Sequence, residues 1–170
     1  MLTGDTEKPR GADISTKPSK RKAKRAARAQ YGALPYRFTP AGALEILLVA
    51  SRESKRWIIP KGWPIKGLRP EKSAAREAFE EAAVSGRIGA KSIGLFAYDK
   101  ILEDGAIGCE VRVFPLLVKQ QSETWPEIEE RAVEWAAPDR ALALIKDAEL
   151  KALVAAFVKR VALAASKSTP

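Results

Sequence analysis

The sequence predicts an α+β fold, and three observations carry the prediction. Leu44–Ser51 (LEILLVAS) is a short run of Leu, Ile and Val with the length of a strand buried on both faces. Between Pro70 and Ala83, alanines at 74, 75, 78 and 82 favour a helix. Further strand-like and helix-like segments follow without the strict alternation of a parallel α/β sheet, which places the chain in the mixed class.

Residues 1–29 are polar, hold Gly4, Pro9, Gly11 and Pro18, and lack apolar periodicity, so they read as a flexible basic tail. A folded domain is expected over 30–165 and a second short tail over 166–170. Tyr36-Arg37-Phe38 runs into Leu44–Ser51 through the turn signal Pro40-Ala41-Gly42, a hairpin. Trp57-Ile58-Ile59 reads as a short strand ended by Pro60, with Lys61–Gly67 (KGWPIKG) as loop. Pro70 suits the first turn of a helix, where its missing N–H is not needed, and Gly86 offers a stop. Lys91–Tyr98 and Glu110–Val118 read as strands joined across the polar turn at Glu103-Asp104-Gly105, and Ala132–Trp135 as another. Asp139–Ile145 reads as a helix. Leu150, Leu153, Val154, Phe157 and Val161 recur at helical spacing, so Glu149–Leu163 reads as a further helix.

Composition narrows the chemistry. A chain of 170 residues, 46% hydrophobic, suits one domain with a packed core. No apolar run reaches the roughly 18 residues that span a bilayer, and no apolar stretch follows the basic N-terminus as in a secretory signal. A cytoplasmic protein with no membrane partner is the expectation. Cys109 is the single cysteine, so there is neither a disulfide framework nor a thiolate metal cage. Histidine is absent, which removes Ser-His-Asp and Cys-His mechanisms and leaves a carboxylate, Lys, Tyr or a metal-bound water as general base. Net charge is +9, and residues 1–30 hold nine Lys/Arg against Asp5, Glu7 and Asp13, a net of +6. Such a tail suits nucleic acid, an anionic membrane or a polyanionic substrate, and equally a plain solvated extension.

The segment richest in chemistry is Arg76-Glu77-Ala78-Phe79-Glu80-Glu81. With Glu77 at 0° and about 100° per residue, Glu80 falls near −60° and Glu81 near +40°, so the three carboxylates share an arc of about 100°. Ala75, Ala78, Phe79 and Ala82 fall on the opposite arc, the face expected to pack on the sheet. Like charges at this spacing cost roughly a few tenths of a kcal/mol per pair, and Arg76, four residues before Glu80, offsets part of it. A cluster of hard oxygen ligands suits Mg²⁺ or Mn²⁺. Taken alone, the same string also fits an exposed acidic face paired with Arg76 and Lys72.

The spacing from Gly62 to Arg76 and on to Val84 resembles the Nudix box, Gly-x5-Glu-x7-Arg-Glu-U-x-Glu-Glu-x-Gly-U with U aliphatic. Two positions depart from it: Leu68 stands where the box has its first Glu, and Ala83 where it has Gly. The resemblance implies a mixed, curved sheet between α-helices and a hydrolase of phosphoanhydride bonds. It implies that Glu77 and Glu81 hold Mg²⁺, with Mn²⁺ as a substitute. Glu80 is then the catalytic base or a further ligand, and Arg76 orients the carboxylates. The main-chain carbonyl of Lys61 or Gly62 completes the metal shell in the same reading, since a glycine lets backbone approach an ion. The first Glu of the box supports loop geometry, so Leu68 bears on stability or rate more than on mechanism. Ala83 lacks glycine's ease with positive φ at a helix end, which makes a helix running on towards Gly86 an alternative.

Over about residues 31–146 the chain further resembles the diphosphoinositol polyphosphate phosphohydrolase branch. The segments concerned are Leu47–Arg52 (LLVASR), Arg56–Gly62 (RWIIPKG), Gly94-Leu95-Phe96, and Trp125-Pro126-Glu127 with Arg131 and Glu134-Trp135. That branch surrounds a very anionic inositol phosphate with basic residues. The resemblance therefore implies Arg37, Ser51, Arg52, Lys61 and Arg131 as substrate-binding, with Lys100 and Arg112 as secondary candidates; arginine forks onto phosphate oxygens bidentately. Pro60-Lys61-Gly62 is also similar to diadenosine polyphosphate hydrolases. For such a substrate Trp63 and Tyr98 offer rings to an adenine or, as readily, to rim packing. Trp57, Trp125 and Trp135 are expected to be structural. A different class stays open: an RNA 5′-pyrophosphohydrolase, or an RNA-binding regulatory protein on the same scaffold, using the basic tail. The tail has no interleaved aromatics for base stacking, which counts against single-strand binding of that kind.

Overall fold

The predicted hairpin organises one end of the sheet: β1 (Arg28–Phe38) pairs antiparallel with β2 (Leu44–Ala50), Tyr36 opposite Ile46. Thr39 and Ala43 close the turn, where Gly42 takes φ 84°. The computed structural model describes residues 26–168, so most of the tail predicted over 1–29 lies outside the described residues. Then come β3 (Trp57–Ile58), β4 (Lys61–Gly62), α1 (Pro70–Ala82), β5 (Val84–Ile88), β6 (Gly94–Leu102), β7 (Gly105–Gln121), β8 (Val133–Ala136), α2 (Pro138–Leu144) and α3 (Ala148–Lys167). The architecture is α+β, with a mixed sheet ordered β3-β2-β1-β7-β5. Within it β1 and β7 run parallel; β4 pairs with β1, β6 with β7 and β8 with β2. No helix among the described residues is long and apolar enough to cross a membrane.

Strand alternation explains why LEILLVA is apolar throughout. Ile46 and Leu48 point to one face, where they pack with Leu34, Leu150, Val154 and Phe157 under α2 and α3. Leu47 and Val49 point to the other, where they meet Ala33, Phe114 and Ala74, Ala78 and Ala82 of α1. Both faces are covered, so both parities must be hydrophobic. The α1 contribution is a row of small residues one turn apart, which lets that helix lie close to the sheet.

Several expectations are corrected. The helix does not run on to Gly86: Ala83 itself adopts the left-handed conformation, φ 61° and ψ 15°, and its N–H caps the Phe79 carbonyl at 2.9 Å. Lys61–Gly62 is not loop but a two-residue strand opposite Tyr31 and Gly32. Val84–Ile88 is a strand that the sequence concealed, because Gly86 reads as a helix stop; a register irregularity falls at Ser85/Gly86. Phe79 is 39% exposed and does not join the sheet-facing row. The first strand begins at Arg28, two residues before Gln30, and α3 runs to Lys167, into the stretch read as a tail. Its continuation Ala162-Leu163-Ala164-Ala165 is made of strong helix formers, and Asp147 caps its start by accepting from Leu150 N–H at 2.8 Å.

Pro115 sits inside β7, where a proline would ordinarily remove a ladder bond. Its position removes that cost. On one side β7 pairs with β6 up to Val113 and with β5 from Leu116, so residue 115 falls between the two partners. Its carbonyl accepts from Gly89 N–H at 2.8 Å.

Candidate active site

Glu77, Glu80 and Glu81 leave α1 in different directions. Glu81 is buried, 4% exposed. Glu77 is half-buried and lies against Gly62 of β4, where even a methyl group on residue 62 would overlap its carboxylate. Gly62 therefore leaves room for that carboxylate to lie directly against the main chain. Glu80 turns outward, 3.8 Å from Arg76, with side chains 40% and 58% exposed respectively. The roughly 100° between Glu80 and Glu81 straddles the edge of the buried face, so one goes in and the other out. Glu77 and Glu81 line the cleft and Glu80 does not, and among the described residues no three Asp, Glu, Cys or His side chains are grouped to hold an ion.

The arginine on this pair is Arg131, not Arg76. Arg131 reaches Glu81 Oε1 at 3.1 Å, Glu127 Oε2 at 2.9 Å and the Ala50 carbonyl at 3.3 Å. Its side chain is 11% exposed, and each of its three nitrogens has a protein partner. The second oxygen of Glu81, Oε2, is buried and has no hydrogen-bond partner. Burial pushes the Glu81 carboxyl up to about 7, against the pull of Arg131 and with a further push from Glu77. Glu77 is raised for the same first reason, then by Glu80. Burial likewise lowers Lys61 to about 8, although Glu81 opposes the shift.

These groups line one cleft of about 980 Å³. Of the expected substrate residues, Ser51, Arg52, Lys61 and Arg131 line it, as does Lys100. Arg37 does not: it pairs with Glu45 at 2.7 Å and stacks over Trp135 at 3.9 Å, beside the hairpin turn. Arg112 lines a separate hollow of about 380 Å³ that shares no residue with the cleft. Ser51 shapes the turn above the cleft, its Oγ accepting from Arg56 N–H at 3.1 Å and lying 2.6 Å from Ser54 Oγ. Lys61 Nζ donates to the Tyr98 hydroxyl at 2.9 Å, and that hydroxyl donates to Gln30 Oε1 at 2.7 Å. The ammonium also lies 4.2 Å from the Tyr98 ring centre, so that ring face is already covered. Trp63 has Arg28 at 4.3 Å and Lys100 at 5.3 Å over its ring. Trp57, expected to be purely structural, lines the cleft as well.

Sequence reasoning did not single out Arg56, Lys146, Gln30 and Glu127 as members of this site. Lys146 and Gln30 carry no local pattern; Arg56 and Glu127 lay within recognised segments but without a role. The residues present fit a divalent ion. A buried carboxylate oxygen without a partner is costly unless something positive satisfies it, and the main chain at Gly62 is laid directly against the second carboxylate.

Comparison with known proteins identifies the family. The NUDIX domain model matches residues 30–157. Nudix hydrolase 21, chloroplastic, of Arabidopsis thaliana is 35% identical over 137 residues, covering 76% of this chain and 65% of that protein. The chain thus spans just under two thirds of that relative's length. Diphosphoinositol polyphosphate phosphohydrolase 3-alpha of Mus musculus is 34% identical over 84 residues, 49% of this chain and 48% of that protein. Among solved structures, a C. elegans Ap4A hydrolase in a binary complex superposes with TM-score 0.61 at 22% identity, over 80% of this chain and 98% of that one, which shows the shared fold. The chain belongs to the Nudix family, whose hydrolases cleave phosphoanhydride bonds and generally use divalent metal ions.

Proposed function

We propose that this Nudix-family chain is a Mg²⁺-dependent hydrolase that cleaves a phosphoanhydride bond of a densely phosphorylated small molecule, a diphosphoinositol polyphosphate or a diadenosine polyphosphate. One observation carries the reading: a single cleft joins the Glu77–Glu81 pair, with its unpartnered buried oxygen, to the cations Arg52, Arg56, Lys61, Lys100 and Lys146. The inositol class is favoured by the name of the mouse relative. Mg²⁺ characteristically takes one or two carboxylates and leaves its other positions to water and phosphate, so Glu77, Glu81 and the main chain at Lys61–Gly62 would hold it. When bound, it neutralises phosphate oxygens and lowers the pKa of the attacking water.

The remaining work falls to the chain's own side chains. Arg52, Lys61 and Lys146 bind phosphate oxygens, Lys61 from a position fixed by Tyr98 and Gln30. Arg131 holds Glu81 in its orientation. Glu80 is the proposed proton acceptor, a role that requires it to leave Arg76 when substrate is present.

A substrate panel with Mg²⁺ tests this: diphosphoinositol phosphates, dinucleoside polyphosphates, nucleoside triphosphates, ADP-ribose and triphosphorylated RNA. Turnover of one of the first two classes is expected; no hydrolysis of any would sink the reading. Preference for the RNA, lost on removing residues 1–25, would establish the RNA alternative instead. Glu80→Gln is expected to lower kcat by roughly 10²- to 10⁴-fold, the range of a lost general base. Wild-type turnover in that variant would remove Glu80 from the mechanism.

A further inference from the structure

We infer that Glu127 is a positioning residue of this site: its one carboxylate sets Arg131 on Glu81 and at the same time holds Arg52 back from the substrate. The inference rests on the hydrolase reading of the cleft. Glu127 lies on the segment between β7 and β8, its side chain 15% exposed. Its two oxygens are divided. Oε2 accepts from Arg131 Nε at 2.9 Å, and Oε1 meets Arg52 Nη2. Arg52 is shared further with Glu130 at 2.8 Å and is itself 52% exposed.

The four charges form a chain, Arg52–Glu127–Arg131–Glu81, running from the rim of the cleft to the buried carboxylate. The two ends differ in what they can do. Arg131 is enclosed and has a protein partner on each of its three nitrogens, so its orientation is set by Glu127, Glu81 and Ala50. Arg52 is half in solvent and its partners are acids at the rim, so an incoming phosphate can take it over. Glu127 acts on both ends but in opposite senses. Towards Arg131 it is a support, because an arginine held at Nε presents its Nη2 to Glu81 in one orientation. Towards Arg52 it is a competitor of the substrate.

These senses separate in one variant. Glu127→Gln keeps the size and an acceptor but loses the charge. In the full-length chain without substrate, Mn²⁺ binding followed by the electron paramagnetic resonance signal of the free ion should weaken by roughly 10- to 100-fold, the usual loss when a partner of a metal ligand is removed. KM for the best anionic substrate, measured at saturating metal, should fall by about two- to fivefold, because Arg52 is released from an exposed pair. Arg52→Ala is the control that leaves Glu127 intact: Mn²⁺ affinity stays at the wild-type value and KM rises. In the double variant Glu127→Gln/Arg52→Ala the KM gain disappears and the Mn²⁺ loss persists. A merely structural Glu127 would move both quantities in the same direction or neither, and that result overturns the inference. Wild-type Mn²⁺ affinity in Glu127→Gln overturns it alone, whereas a wild-type chain that binds no Mn²⁺ removes the hydrolase reading and this one with it.

Discussion

Glu80 and Glu81 are neighbours in sequence, and each faces an arginine. In Arg76–Glu80 the side chains are 58% and 40% exposed and 3.8 Å apart; in Arg131–Glu81 they are 11% and 6% exposed and 3.1 Å apart. The first pair is local, four residues along one helix. The second joins α1 to the segment before β8. The difference teaches that similar chemistry has opposite value on the two sides of a helix edge. Water already satisfies the exposed pair, so making it gains little. The buried acid has left water behind and depends on its partner, so breaking that pair costs much.

The strongest way to break the comparison is Arg131→Ala. It strands Glu81 and is expected to cost roughly 3–5 kcal/mol of stability at pH 8, measured by denaturant unfolding. The cost should shrink at pH 5, where Glu81 can carry a proton. A loss no larger than that of a surface pair would show that burial does not set the value here. The wild-type chain offers the same information without substitution. Glu81 is raised from 4.5 to about 7 in the fold, so the folded state holds its proton more tightly than the unfolded one. In metal-free protein its contribution is therefore full below about pH 4.5 and is lost as pH rises through 7. Thermal melts across that window should show the decline, and saturating Mn²⁺ should reverse it.

Gly62→Ala tests the other member of the pair. The added methyl overlaps the Glu77 carboxylate, and the displacement should cost about 1–3 kcal/mol, as overpacking does. An unchanged unfolding midpoint would mean Glu77 moves aside freely. The smallest effect belongs to Arg76→Ala, whose stability should stay within about 0.5 kcal/mol of wild type. A larger loss would give the exposed pair a weight its geometry does not explain.

What could be read from the sequence follows the same line between local and distant. Pro70, the alanine row and Arg76–Glu81 specify α1 within a few residues of one another, and the helix starts where expected. The β1–β2 hairpin is likewise local. The helix ends at the expected Ala83, and the alternative of a run to Gly86 fails because Ala83, though not glycine, takes a left-handed conformation where β5 begins. β4 was invisible: two residues between prolines become a strand only because Tyr31 and Gly32 lie opposite. At the site, the spacing from Gly62 to Glu81 was legible, but the partition of Glu80 and Glu81 between water and protein was not. That depends on where the sheet touches the helix, and on Glu127 and Arg131 arriving from 46 and 50 positions away. Arg37 shows the reverse error. A cation outside the segments that carry the resemblance was read as part of the site, but it is held beside the hairpin turn by Glu45 and Trp135.

β6 pairs with β7, and at its outer side Ala97 donates its N–H to Glu149 of α3 at 2.8 Å. The strand also exposes Leu95, Ile101 and Leu102, each more than 40% accessible. An open edge with apolar side chains is what recruits a strand from another molecule and starts fibre growth. Here the mid-strand donor is already taken, and a fixed negative charge stands where an incoming carbonyl would have to dock. A single helix residue thus covers part of an edge that would otherwise be open to strand addition.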